Sequence, residues 1–303
     1  MTFRQFFLAG SAAISALLLP SCALETLAPP MGRSGDQLVF SGRTWTVKGG
    51  QELFGPGPNY FSKDLYSAYT DSLGYLHLNI RQLDGRWYCS EVISNENLGY
   101  GTYSWEVEPN QLDLPTNTVL GLFTWDNNTL QSQANSEVDI EFSRWGNANQ
   151  NNTLHTSVQP VWFGSFYPER TRGQALPEAA RAQPTTHEFR WAPEEITWTS
   201  YLGPKSANNV IATWKFDLNN PARVKQEGGI TSAPIIIPAP GTTTNARMNL
   251  WLMQDQNQGP TGGRGPGSHN THRLDTHGKD GSGGIPGQSH NLLSGEGLGP
   301  DGI

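Results

Sequence analysis

Two cysteines, Cys22 and Cys89, occur in 303 residues. That supports neither a disulfide framework nor a cysteine-built metal site. Basic residues are sparse too: 20 Lys and Arg face 27 Asp and Glu, a net charge of −7. They are scattered along the chain. No basic patch can neutralise a phosphate backbone, which excludes a nucleic-acid partner and argues against docking on an anionic membrane surface. His and Asp nowhere cluster at catalytic-metal spacing, and no internal repeat is visible. Helical periodicity is nearly absent, with a short turn near 177–181 as the one candidate. The longest apolar run, 6–19, is too short to span a bilayer with ordinary flanks.

That run reads as a targeting segment. Arg4 precedes it, and it ends Leu19-Pro20-Ser21-Cys22. Residues 1–21 resemble a bacterial lipoprotein signal cleaved before a lipidated Cys22, with cleavage after Ala23 as the alternative. Both readings export the protein, to a membrane-anchored periplasmic or surface location or as a secreted form. Any membrane association would run through the lipid on Cys22. Cys89 would then be a buried free thiol. Residues 22–35, with Pro29, Pro30 and Gly32, read as a tether.

What the chain does have is rings and turns. Aromatics make up 10%, including ten Trp, alongside 34 Gly and 21 Pro. Short apolar-alternating stretches recur at 44–48, 76–80, 87–93, 102–108, 154–159, 188–191, 196–202, 211–216 and 247–253. Gly, Pro, Asn and Asp separate them, Asp84-Gly85 being a hairpin signal. A nearly continuous apolar run at 119–125 reads as a central strand. Many short strands, turn signals and almost no helix predict an all-β sandwich or jelly roll of one domain, 36–258.

Residues 137–142 read Glu-Val-Asp-Ile-Glu-Phe. On a strand, Glu137, Asp139 and Glu141 share one face, and Val138, Ile140 and Phe142 the other. The apolar trio can anchor a core. The three carboxyls then crowd together with no basic residue between them, so at least one pKa should rise. Two carboxyls held at different protonation states are what glycosidic-bond hydrolysis needs. The competing reading is an amphipathic strand with a solvated acidic face.

The order of motifs adds to this. Trp87-Tyr88-Cys89-Ser90-Glu91-Val92-Ile93-Ser94-Asn95 precedes Gly99-Tyr100-Gly101-Thr102-Tyr103, then Gly121-Leu122-Phe123-Thr124-Trp125, the acidic strand, Phe189-Arg190-Trp191, Ile196-Thr197-Trp198, and Met248-Asn249-Leu250-Trp251. Over about residues 40–253 this succession resembles glycoside hydrolase family 16, the lichenase, laminarinase and xyloglucan-transferase group. The resemblance implies a concanavalin/lectin-like jelly roll with a concave substrate cleft, and retaining, endo-acting hydrolysis of β-linked glucan. It makes Glu137 the nucleophile, Glu141 the acid/base and Asp139 the helper between them. Ile140 is followed directly by Glu141, without the extra bulge residue of laminarinase-like members, which points to the lichenase-like and xyloglucan-active branch. Two departures stand out: Asn135-Ser136 where lichenases usually carry Trp-Asp, and no partner for Cys89, which matches a lichenase disulfide cysteine.

Sugars have apolar faces and polar edges, so their clefts pair aromatic platforms with amides and carboxylates. Candidates for substrate binding are Trp125, Asn249, Trp251, Glu91, His155 and Gln159, with Asn95 and Arg144 at the rim. His155 is a candidate partner for a catalytic carboxyl. Trp191 and Trp198 are assigned to the core. No metal ligands and no cofactor are expected; some family members hold a structural calcium, which the sequence does not locate.

Residues 259–303 lack aromatics and are rich in Gly, Pro, His, Asn and Ser, a composition that predicts disorder. The family normally ends with one more strand here. A reading-frame shift near Gln258 is compatible with its loss. The leading function is cleavage of β-1,3-1,4- or β-1,3-glucan by a monomer acting on polysaccharide. The alternatives are a non-catalytic carbohydrate-binding protein on the same fold, a transglycosylase, and a galactan or xyloglucan hydrolase.

Overall fold

The computed structural model describes residues 33–109, 114–161, 168–219, 223–226, 229–232, 234–253, 259–261 and 271–277. The expected signal segment 1–21, most of the 22–35 tether, and Cys22 with its lipid lie outside these residues. Two antiparallel sheets face each other. One runs, from edge to edge, Arg33–Ser34 (β1), Gln37–Phe40 (β2), Arg43–Val47 (β3), Ser90–Ser94 (β7), Asn245–Leu252 (β18), Thr118–Trp125 (β9), Val138–Ser143 (β10), Leu154–Val158 (β11) and Thr171–Gln174 (β12). The other runs Val210–Asp217 (β15), Glu195–Leu202 (β14), Thr185–Trp191 (β13), Gly101–Val107 (β8), Thr271–His277 (β19), Tyr75–Leu83 (β5) and Ala68–Thr70 (β4), with Arg86–Tyr88 (β6) paired to β5. Arg223–Gln226 (β16) and Gly229–Ser232 (β17) form a separate hairpin.

Strand order in the first sheet jumps repeatedly along the chain, the jelly-roll pattern in which sequence-distant strands become neighbours. Alternation decides which side chains meet between the sheets. Val138, Ile140 and Phe142 of β10, Leu120 and Leu122 of β9, and Met248, Leu250 and Leu252 of β18 are all buried. From the second sheet come Leu76, Leu78, Ile80, Tyr103, Trp105, Phe189, Trp191, Ile196 and Trp198. Trp191 and Trp198 therefore do lie in the core. Burying a large apolar side chain is worth roughly 1.5–3 kcal/mol, so this interior holds both sheets in register.

Three local expectations need correction. The stretch 87–93 is not one strand. It divides at Cys89: β6 belongs to the second sheet and β7 to the first, so the chain changes layer there. The turn at 178–181 is a 3-10 helix as expected, but helical turns also form at Leu130–Gln133, Ala134–Ser136 and Pro168–Arg170. Finally, the expected disorder of 259–303 does not hold for all of it. Gly259 and Thr261 hydrogen-bond Asn117 and Thr116, and β19 pairs with β5 and with the end of β8. Composition missed this because a strand inserted between two others draws its backbone partners from the fold. The rest of the tail lies outside the described residues.

A candidate active-site cleft

On the outward face of the first sheet, residues from four adjacent strands, β7, β18, β9 and β10, and from the loops beside them surround a cavity of about 490 Å³. Register sets its floor in rows. Glu91 of β7 stands opposite Asn249 of β18, Asn249 opposite Gly121 of β9, Gly121 opposite Glu141 of β10, and Glu141 opposite His155 of β11. The next row runs Ile93, Arg247, Phe123, Asp139 and Ser157. The cleft thus crosses the strands, and each row takes one residue from each strand.

Glu137, Asp139 and Glu141 all line it. Glu137 immediately precedes β10, in extended conformation at φ −95° and ψ 125°. Its delivery depends on an unusual approach. Ala134, Asn135 and Ser136 all have positive φ (48°, 60° and 53°), a left-handed run that L-residues avoid. Partners fix it in place. Asp126 N–H donates to the Asn135 carbonyl (2.6 Å), and Asn135 Nδ2 donates to the Asp126 carbonyl (2.9 Å). Thr124 Oγ1 donates to the Ser136 carbonyl (2.8 Å), and Ser136 Oγ to the Ala239 carbonyl (2.8 Å). The Asn135-Ser136 pair therefore shapes the turn ahead of Glu137, with both side chains buried.

The three carboxyls act on one another. Burial, then the charges of Asp139 and Glu141, push Glu137 well above the usual carboxylate range. Burial raises Asp139 to about 7, opposed by hydrogen bonds from Gln159 and Glu137. Burial and the Asp139 charge raise Glu141 to about 8. Like charges in a low-dielectric site cannot all ionise together, so protons are retained at neutral pH. From below, the Trp198 indole Nε1 donates to the Asp139 carbonyl at 3.0 Å, tying β10 to the opposite sheet.

The other expected residues separate into three groups. Trp125, Asn249, Trp251 and Glu91 line the cavity. Glu91 is a buried, paired carboxylate rather than an exposed one: Lys48 Nζ lies 2.8 Å from Oε2, and Arg247 donates to Oε1 at 3.2 Å. Gln159 is in reach of the triad, where Nε2 donates to Asp139 Oδ2 at 3.2 Å, so it holds a carboxyl. His155 stands across from Glu141, yet its Nε2 meets the Ser143 carbonyl at 3.3 Å and its ring rests edge-on to Trp145. The expected bond from His155 to a catalytic carboxyl is thus replaced by one to backbone. Asn95 and Arg144, expected at the rim, do not line the cavity: Asn95 accepts from Thr46 Oγ1, and Arg144 donates to the Leu114 carbonyl. No group of three or more potential metal ligands occurs among the described residues.

Lys48, Asn127, Phe123 and Arg247 also line the cavity and were missed by sequence reasoning. Arg247 was findable: in Arg-Met-Asn-Leu-Trp it alternates with Asn249 and Trp251 and shares their face. Lys48 and Asn127 follow strand ends, where alternation gives no signal. Asn249 Oδ1 is buried without a hydrogen-bond partner. A Cβ on Gly121 would come within 2.5 Å of it, so the missing side chain at 121 makes room for this amide between two strands.

No protein-family model and no curated protein matches the chain. Its fold is found among solved structures. An endo-1,3-beta-glucanase from Streptomyces sioyaensis aligns with TM-score 0.52 at 13% identity, covering 82% of this chain and 95% of that one. A glycoside hydrolase family 16 endo-glucanase from Bacteroides ovatus, solved in complex with G4G3G-2F-DNP, gives 0.51 at 12% identity, covering 77% and 92%. A glycosyl hydrolase family protein from Mycobacterium fortuitum gives 0.50 at 16% identity, covering 82% and 94%.

Proposed function

We propose that this protein is a retaining, endo-acting glycoside hydrolase of family 16 type that cleaves β-1,3-1,4- or β-1,3-linked glucan. The observation that carries the reading is the triad: three carboxyls on one strand face, each held above its ordinary pKa, on the floor of a cleft lined by Trp125 and Trp251. A lectin has no use for such crowding. The shared fold supports it, since an endo-1,3-beta-glucanase and a glycoside hydrolase family 16 endo-glucanase align over most of both chains.

In this mechanism the Glu137 carboxylate attacks the anomeric carbon as Glu141 donates its proton to the departing glycosidic oxygen. Water then loses a proton to Glu141 and attacks the same carbon, which releases Glu137 and restores both groups. Asp139, hydrogen-bonded to Glu137 and Gln159, steadies the nucleophile between charged and esterified states. Trp125 and Trp251 offer ring faces to the sugars. Cofactor chemistry has no part in this scheme, and the working unit is a monomer. Export, with anchoring through a lipid on Cys22, would bring the cleft to extracytoplasmic polysaccharide.

The test is a panel of lichenan, laminarin, xyloglucan and agarose, with linkage analysis of products and anomer detection by NMR. Release of oligosaccharides with β-configuration from lichenan or laminarin is expected, and none from Glu137→Gln. Binding without turnover by the unmodified protein would make it a carbohydrate-binding module. Products longer than the substrate would make it a transglycosylase.

A further inference from the structure

Lys48, Glu91 and Arg247 form a charged chain along one side of the cleft. Glu91, 1% exposed, accepts from Lys48 on Oε2 (2.8 Å) and from Arg247 on Oε1 (3.2 Å). Lys48 lies at the outer end, where its ammonium also reaches the Gly55 carbonyl (2.6 Å) and the face of Phe61. Arg247 lies at the inner end. It stands opposite Phe123, which stands opposite Asp139, and its guanidinium lies over the Trp125 ring at 5.4 Å. Trp125 is two residues beyond Phe123 and Glu137 two residues before Asp139, so the antiparallel pair sets the two level with each other.

Arg247 is 7% exposed and its nitrogens are all engaged: Nε with Asn245 Oδ1 (2.9 Å), one terminal nitrogen with Glu91, the other with Asn127 Oδ1 (3.4 Å). It is not a free anion receptor for a charged substrate. Its charge is fixed, and one carboxylate shared between two cations leaves the chain of three at +1. That is the complement of a triad carrying a single negative charge.

We propose that Arg247 is a positioning residue for Glu137: with Glu91 and Lys48 it presents one net positive charge to the triad and so favours the carboxylate form of Glu137 against the burial and like charges that favour its proton. This rests on the glycosidase reading. Coulomb attraction between Arg247 and Glu137 opposes the burial and the like charges that raise Glu137. The other charged or titratable groups facing Glu137 are Asp139 and Glu141 on its own strand, Glu91 and Lys48 across the cleft, Asp126 beyond Trp125, and His155 on β11. His155 is held toward its neutral form by burial, and Arg247 is the cation of this set whose charge acts on Glu137.

The experiment compares the pH profiles of kcat/KM for Arg247→Met, Arg247→Lys, Lys48→Met and Glu91→Gln with the parent, using lichenan or laminarin. Arg247→Met takes the chain of three to zero. Its acid limb moves to higher pH, and its activity loss is larger at low pH than at high pH. Lys48→Met moves the limb the same way by less. Glu91→Gln takes the chain to +2 and moves the limb down. Arg247→Lys keeps the parent limb. Thermal midpoints followed against pH report the same proton uptake without turnover. They therefore decide the matter even if the parent is inactive, an outcome that would refute the proposed function separately. If Arg247→Met does not fold, Lys48→Met and Glu91→Gln still carry the opposed signs. Limbs that coincide with the parent's, or that move in the same direction for Glu91→Gln as for the cation variants, overturn the proposal.

Discussion

The indole of Trp198, on a strand of one sheet, donates across the core to the backbone carbonyl of Asp139 on the other, at 3.0 Å. Asp139 points its carboxyl into the cleft while its carbonyl is gripped from beneath. A core side chain thereby sets the height of the strand that carries the three carboxyls. Trp198→Phe keeps most of the apolar volume and leaves that carbonyl without its donor. We expect a loss of about 1–3 kcal/mol in denaturant unfolding, together with a fall in kcat and little change in KM. A variant equally destabilised but kinetically unchanged would show that the bond serves stability alone.

Stability should fall with rising pH because of the triad. Glu141 is raised in the folded protein to about 8, and Asp139 to about 7. The folded state thus holds protons that the unfolded chain releases near ordinary carboxylate values. Stability from these groups is present at low pH and declines as pH climbs through the window up to about 8. His187, buried and held down to about 3, acts in the opposite sense below neutrality, but it is common to parent and variant. The melting-temperature difference between Glu141→Gln and the parent should therefore grow from near zero at acid pH to clear stabilisation at pH 8. A flat difference would contradict the raised carboxyl.

The activity profile follows from the same groups. In the proposed mechanism Glu141 must be protonated, so the alkaline limb of kcat/KM, which reports the free protein, is expected near 8. Gln159→Leu removes a donor that favours ionised Asp139, so the proton of Asp139 should leave at higher pH in that variant. Stopped assays on a soluble glucan across pH would measure both.

Gly121→Ala places a methyl group within 2.5 Å of Asn249 Oδ1. The strand itself tolerates alanine, but the amide must move. A cost on the order of 1–3 kcal/mol to stability and a rise in KM larger than the change in kcat are expected. A crystal structure of the variant should show Asn249 displaced from its place above residue 121.

Ala134 carries φ 48°, a conformation that costs an L-residue roughly 1–2 kcal/mol. Ala134→Gly should relieve part of this and stabilise the protein by about 1 kcal/mol, read from the shift in urea midpoint. Destabilisation would mean that the methyl group makes contacts worth more than the strain.

Alternation in the sequence determined a great deal. Residues 137–142 set three carboxyls against three core side chains. The same rule placed Asn249 and Trp251 opposite Met248, Leu250 and Leu252, because successive strand residues point to opposite sides wherever the strand lies. Turn residues bounded the strands, as at Asp84-Gly85, where both residues have positive φ. Alternation is blind to which strands become neighbours and to what a polar side chain meets. The tertiary structure alone brought Glu91, Asn249, Gly121 and Glu141 into one row from four separate parts of the chain. It also turned His155 to a backbone carbonyl, made Gln159 a support for Asp139, and seated Arg247 between Glu91 and the acidic strand. It divided 87–93 between two sheets and inserted β19 beside β5, since backbone groups there find partners that composition does not encode. The carboxyls of residues 137–142 are thus written in the sequence. The charge each carries is decided by burial and by neighbours that folding delivers.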